Sequence, residues 1–143
     1  WAAPYEVGTE FGGLGLSPSV TPEDLRLRMK GGTPPSTTIA LVATDATLTK
    51  AQAKRLAIMA DDGLARAVRP AHAPMDGDTV FAVATQRKPL KDAILDLTAL
   101  GAAAGDCLAR AIARAVYEAR RPEGPYTGPP PYRERFAQGF RSE

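Results

Sequence analysis

Residues 36–45 read Ser-Thr-Thr-Ile-Ala-Leu-Val-Ala-Thr-Asp, and the fold turns on these ten. They follow Gly31-Gly32-Thr33-Pro34-Pro35 and pass from hydroxyl residues directly into a β-branched, apolar run. The pattern predicts a strand over 38–44 with a hydroxyl at its mouth. Its nearly continuous apolarity predicts a strand covered on both faces, in the middle of a layered structure. A strand leaving a Pro/Gly loop can present its first residue to a cleft, which makes Thr37 the candidate nucleophile. Cutting the Ser36-Thr37 peptide would leave Thr37 with a free α-amine beside its hydroxyl. An α-amino group titrates at about 7.7–8.0 and can take the hydroxyl's proton without a histidine. The plainer alternative is an ordinary buried strand whose first threonines satisfy backbone groups.

Working outward, the flanks alternate helix and strand. Thr21 reads as an N-cap with Pro22 at the first helical position and Glu23 and Asp24 in the first turn, opening a short helix that Gly31 and Gly32 stop. After the strand, Thr49 and Gln52 form a capping box. Ala53, Leu56, Ala57, Ala60, Leu64, Ala67 and Val68 then repeat at helical spacing, and Pro70 limits the helix. Lys50, Lys54, Arg55, Asp61, Asp62 and Arg66 read as its solvated face. A second strand is predicted over 79–85 and a long helix over 90–120. In that helix Gly101 and Gly105 offer a smooth face for close approach and also a place to kink. The class is therefore α/β.

The ends differ in composition from the middle. Gly12-Gly13-Leu14-Gly15 reads as tight turns, because its spacing matches neither a P-loop nor a dinucleotide fingerprint. Residues 121–143 form a Pro/Arg/Tyr-rich tail in which Tyr126, Tyr132, Phe136 and Phe140 alternate with Arg133, Arg135 and Arg141. It reads first as disordered, then as docking onto a neighbouring chain, and last as RNA-binding.

Composition narrows the chemistry further. The 143 residues fit one domain, and Lys plus Arg exceed Asp plus Glu by only 18 to 16, so no bulk charge points to nucleic acid or to an acidic membrane surface. Cys107 is the single cysteine, which fits a reducing compartment, and its apolar helical run predicts inert packing. No apolar stretch has the length of a membrane span, and the start lacks a signal-peptide pattern, so a cytoplasmic location is expected. Trp1 in place of methionine reads as a truncated or processed polypeptide. His72 reads as structural or exposed. Asp76-Gly77-Asp78 reads as a turn before the second strand, and with no third ligand nearby it predicts no metal and no cofactor. The functional alternative puts both carboxylates beside a cationic amine whose pKa they tune.

Three blocks in register carry a resemblance that periodicity does not: Thr37-Thr38-Ile39 with Val42-Ala43-Thr44-Asp45-Ala46, Leu48-Thr49-Lys50-Ala51-Gln52, and Asp76-Gly77-Asp78-Thr79-Val80-Phe81-Ala82. From about Tyr5 to about Arg120 the chain resembles the DmpA-type L-aminopeptidase/D-esterases, β-aminopeptidases and nylon-oligomer hydrolases, most closely the nylon-oligomer branch. Glu10-Phe11-Gly12-Gly13 looks like the part of that family just ahead of its processing site.

The resemblance implies an N-terminal-nucleophile hydrolase, made as one precursor that cuts itself into two chains. The fold it implies is an α/β/β/α sandwich of the DmpA/ornithine acetyltransferase type, present here only as its C-terminal part and assembled into homo-oligomers. Thr37 matches the nucleophile, and Asp76 and Asp78 match the acidic pair near its amine. Residues 1–36 would be the tail of the first chain with the processing loop, 37–120 the core of the second chain, and 121–143 a tail. The substrates implied are peptides, β-peptides or ω-amino-acid oligomers.

Ser36 stands where the nylon-oligomer branch has asparagine. Ser36 is itself a rival nucleophile, and the alignment on Val42-Ala43-Thr44-Asp45 favours Thr37. The family's lysine and its oxyanion-stabilising asparagine lie upstream of this chain, and one oxyanion donor is worth about 100- to 1,000-fold in rate. The chain alone is therefore expected to be inactive, to depend on the missing N-terminal part of its precursor, and to self-associate through exposed apolar sheet edges. The rival readings are an acyltransferase on the same fold and a non-catalytic truncated relative serving as an oligomerisation module.

Overall fold

A computed structural model describes residues 2–17, 19–26 and 37–137. After a 3-10 turn at Ala3–Tyr5, the elements are α1 (Pro22–Leu25), β1 (Ile39–Ala46), α2 (Lys50–Ala67), β2 (Thr79–Lys88), α3 (Leu95–Glu118) and α4 (Tyr132–Arg135). The strands pair in parallel, Ile39 opposite Thr79 through Thr44 opposite Ala84, with α2 as the crossover that parallel pairing requires. Helix α2 begins at the capping box: Thr49 Oγ1 accepts from the Gln52 amide, and Gln52 Oε1 accepts from the Thr49 amide.

Both strands outrun their predicted ends. Beyond Thr44 the register shifts until Ala46 faces Lys88, so β2 carries a bulge with Gln86 at φ 61°. The Gln86 amide then clasps the Leu48 backbone, accepting from its N–H at 3.0 Å and donating to its carbonyl at 2.9 Å. Asp45 and Lys88 close the end of the ladder at 2.8 Å.

Alternation along the strands divides the sheet into two faces. Val42, Ala46, Ala82 and Ala84 meet Ala53 and Leu56 of α2 and Leu97, Leu100 and Ala104 of α3. Leu56, Ala60, Leu64 and Ala109 form the least accessible part of the interior. The other face is open, with Ile39 73%, Leu41 65%, Phe81 56% and Val83 44% exposed. Among the described residues the strand expected to be covered on both faces is covered on one. Both helices lie on one side, and nothing among the described residues covers the other.

Helix α3 starts later than predicted because Asp92 and Asp96 organise the turn before it. Asp92 Oδ1 accepts from the Ile94 and Leu95 amides, and Asp96 Oδ2 accepts from those of Lys91 and Asp92. The helix runs unbroken through Gly101 and Gly105, which receive α2: a Cβ on Gly63 would fall 2.2 Å from the Gly105 carbonyl oxygen. Helix α1 ends at Leu25, with Arg26 already extended, instead of reaching Gly31 and Gly32, which lie outside the described residues.

Two side-chain expectations are also corrected. Arg66 leaves the solvated face to pair with Asp106 and to sit 5.3 Å from the Tyr5 ring centroid. Cys107 is exposed, because its neighbours Leu108 and Ala109 take the buried positions. In the tail, among the described residues, Arg121 pairs with Glu134, and the Arg133 guanidinium lies 5.0 Å from the centre of the Tyr117 ring of α3. Phe140 and Arg141 lie outside the described residues. Among the described residues no helix is long and apolar enough to cross a membrane.

Candidate active site

Parallel pairing carries the start of both strands to one end of the sheet, and with them the residues just before each. Thr37 is exposed immediately ahead of β1, and Asp76-Gly77-Asp78 immediately precedes β2. The two segments are stitched together by backbone. The Thr79 N–H donates to the Thr38 carbonyl at 2.9 Å, and the Thr38 N–H donates to Asp78 Oδ1 at 2.9 Å. A Cβ on Gly77 would stand 2.8 Å from Thr37 Oγ1 and 3.3 Å from its Cγ2. Only a glycine lets the turn lie this close to the hydroxyl without displacing it.

The two acidic residues do different things. Asp78, half-buried, holds the residue next to Thr37. Asp76 closes its own turn: its Oδ2 accepts from the Ala73 N–H at 3.1 Å, and its N–H donates to the Ala73 carbonyl at 2.8 Å. The structure thus brings Thr37, Gly77 and Asp78 together and gives Asp76 to the connection that carries them. Ser36 lies outside the described residues. His72, exposed at φ 56°, faces Asp61 of α2 at 3.7 Å. Among the described residues no group of three or more His, Cys, Asp or Glu is placed to hold a metal ion.

Two cavities lie apart from Thr37. One of about 290 Å³ runs along β1 and α3 and is lined by Leu41, Thr44, Leu100, Ala104, Cys107 and Ala111 among others. Another of about 250 Å³ lies between the N-terminal segment and the end of α3, with Phe11, Leu14, Ile112, Val116 and Tyr132 in its wall. The N-terminal segment itself is tightly tied. Glu6 Oε1 accepts from the Phe11 and Gly13 amides, and Gly12, Gly13 and Gly15 all take positive φ. Glu10 holds Arg110 of α3 through both carboxylate oxygens, and this pairing lowers its pKa to about 2.

Sequence reading missed Gly77 as a site residue. Asp-Gly is so common a turn dipeptide that its glycine carries no signal of what lies opposite. It also missed Glu10–Arg110, whose members are 100 positions apart.

The sequence profile of Peptidase family S58 matches residues 7–127, and the chain belongs to this family, the DmpA family. An uncharacterized aminopeptidase of Mycobacterium tuberculosis is 47% identical over 120 residues, covering 77% of this chain and 34% of the relative. One of Mycobacterium bovis matches to the same extent. One of Mycobacterium leprae is 48% identical over 99 residues, covering 62% of this chain and 27% of the relative. The chain spans about a third of the length of the curated relatives it matches.

Proposed function

We propose that the chain is the carboxy-terminal part of an amide hydrolase of the aminopeptidase type, cut by its own Thr37 from the segment before it and using that threonine as nucleophile. In the cleavage step Thr37 Oγ1 attacks the carbonyl carbon of residue 36, and the C–N bond to Thr37 breaks. The hydroxyl proton passes to the departing nitrogen, and water hydrolyses the resulting ester to a carboxylate on Ser36 and a restored hydroxyl. In turnover the new α-amine takes the Thr37 hydroxyl proton, the oxygen attacks the substrate amide, and the proton leaves on the released amine. Water then frees the acyl group. Carboxylates near the amine favour its protonated form, the form it holds between those two transfers. Asp78, which accepts from the N–H of the residue next to Thr37, takes this part first, with Asp76 in support.

The finer reading is an α/β/β/α sandwich whose second sheet comes from the preceding part of the precursor, acting on peptides, β-peptides or ω-amino-acid oligomers as in the nylon-oligomer branch. The open apolar face of Ile39, Leu41, Phe81 and Val83 supports the sandwich. The three sequence blocks support the branch.

The observation that carries the proposal is the approach of Gly77 to Thr37 Oγ1 beside the Asp78–Thr38 hydrogen bond, in a chain of this peptidase family. Intact mass spectrometry of the full-length precursor tests it. Wild type is expected as two pieces divided between Ser36 and Thr37, and Thr37→Ala as one. An uncut wild type, or an equally cut Thr37→Ala, removes Thr37 as nucleophile.

A further inference from the structure

The segment before α1 holds its own shape and then grips the helices. Within it the Glu6 N–H donates to the Ala3 carbonyl at 3.2 Å, Glu6 Oε1 accepts from the Phe11 and Gly13 amides at 2.9 Å each, and Glu10 Oε1 accepts from the Val7 N–H at 3.1 Å. A segment shaped in advance loses less freedom when it docks. It docks through Ala2, Tyr5 and Glu10. Ala2 is buried, the Tyr5 ring lies 5.3 Å from the Arg66 guanidinium that also pairs with Asp106 of α3, and Glu10 accepts from both Nε and Nη2 of Arg110. The Glu10 side chain keeps only 16% of its surface exposed, so this two-point pair is shielded more than an ordinary surface ion pair.

Under the proposed cleavage between Ser36 and Thr37, this segment and α3 end in different chains. The segment then belongs to the terminal stretch of the first chain, and terminal stretches are ordered only where something ties them down. Glu10–Arg110 and Tyr5–Arg66 cross from one chain to the other without passing through the cut. We infer that residues 2–15 are a strap that keeps the end of the first chain on α3 of the second, and that Glu10–Arg110 is its lock. The receiving surface combines Arg66 and Arg110 with the apolar Ala67, Ile112 and Val116, and so fits an acidic segment carrying aromatic rings, here Glu10 with Tyr5 and Phe11. The inference rests on the proposed cleavage and assigns the strap no part in the chemistry at Thr37.

The test is hydrogen exchange read by mass spectrometry on the full-length protein, following the amides of residues 5–15. Wild type supplies the cut form and Thr37→Ala the uncut form, each with and without Arg110→Ala. Cut wild type is expected to protect the segment as well as uncut Thr37→Ala does. Loss of a charge-assisted pair should speed exchange of the segment about tenfold in cut Arg110→Ala, and less in the uncut form, where the chain still tethers it on both sides. Exchange in β1 and β2 should stay unchanged, and the swap of Glu10→Arg with Arg110→Glu should return part of the protection. Loss of protection in cut wild type overturns the inference, as does unchanged protection in cut Arg110→Ala; both leave the nucleophile reading intact. Equal acceleration in cut and uncut forms, or faster exchange spreading through β1 and β2, overturns it too, by making Arg110 a general structural support. An uncut wild type removes the nucleophile reading and this inference together.

Discussion

Glu10 shows how one residue joins segments distant in sequence. Its carboxylate takes two guanidinium nitrogens of Arg110 and the Val7 N–H, and the Arg110 hydrogen bond outweighs the desolvation that opposes it. The folded-state pKa of about 2 lies below the ordinary 4.5, so the unfolded chain binds the extra proton between those values. Stability from this group is therefore complete above the ordinary carboxylate range and lost as pH falls towards about 2. Glu10→Gln should show a shallower loss of stability over that window in denaturant titrations at successive pH values, with a lower plateau near neutrality. Asp45, lowered by its hydrogen bond to Lys88, and Asp92, lowered by the Leu95 and Ile94 amides, leave some acid sensitivity in the variant. An unchanged slope in Glu10→Gln would mean that the pair forms in the unfolded chain as well or contributes nothing.

At the scale of elements, the crossing of α2 and α3 is set by three glycines. In an exposed helix, Gly→Ala is favourable by about 1 kcal/mol. At Gly63 the new methyl would meet the Gly105 carbonyl oxygen at 2.2 Å, and a backbone carbonyl inside a helix cannot swing aside. Overpacking of this kind costs about 1–3 kcal/mol, so the steric term wins. Gly63→Ala should lower the unfolding free energy by about 2 kcal/mol, and a stabilised variant would show that the helices separate at little cost. Gly101, with Met59 Sδ 2.4 Å from the same hypothetical position, is more forgiving because a methionine can change rotamer. The sequence showed that Gly101 and Gly105 offered a smooth face. It could not say whether helix or sheet would use it, since that depends on which element arrives there.

For the whole molecule the decisive feature is imbalance. Two parallel strands carry both long helices on one face and leave Ile39, Leu41, Phe81 and Val83 bare on the other. Contiguous apolar side chains on an open sheet face favour association. The isolated chain is expected to self-associate in sedimentation velocity, and Leu41→Lys with Phe81→Lys to shift it towards monomer. The unsubstituted chain running as a clean monomer would argue against the open face. Arg110, Tyr117 and Tyr132 also belong to this scale, since the segments before and after the strand-helix-strand-helix unit both return to the C-terminal half of α3.

What the sequence determined by itself was local or periodic. The capping box at Thr49, the apolar stripe of α2, the two strands and the threonine at the mouth of the first were legible because each signal lies within one or two turns of chain. The family was legible because three blocks kept their register. The tertiary structure decided what depends on the meeting of distant residues. It set Gly77 against Thr37, gave Asp78 to the Thr38 N–H and Asp76 to its own turn, bent β2 at Gln86 and closed Arg69 on Leu25. An apolar strand reads the same whether one face or two are covered. Only the placement of both helices on one side of the sheet left the other face open, and burial is a property of neighbours that no single stretch of sequence contains.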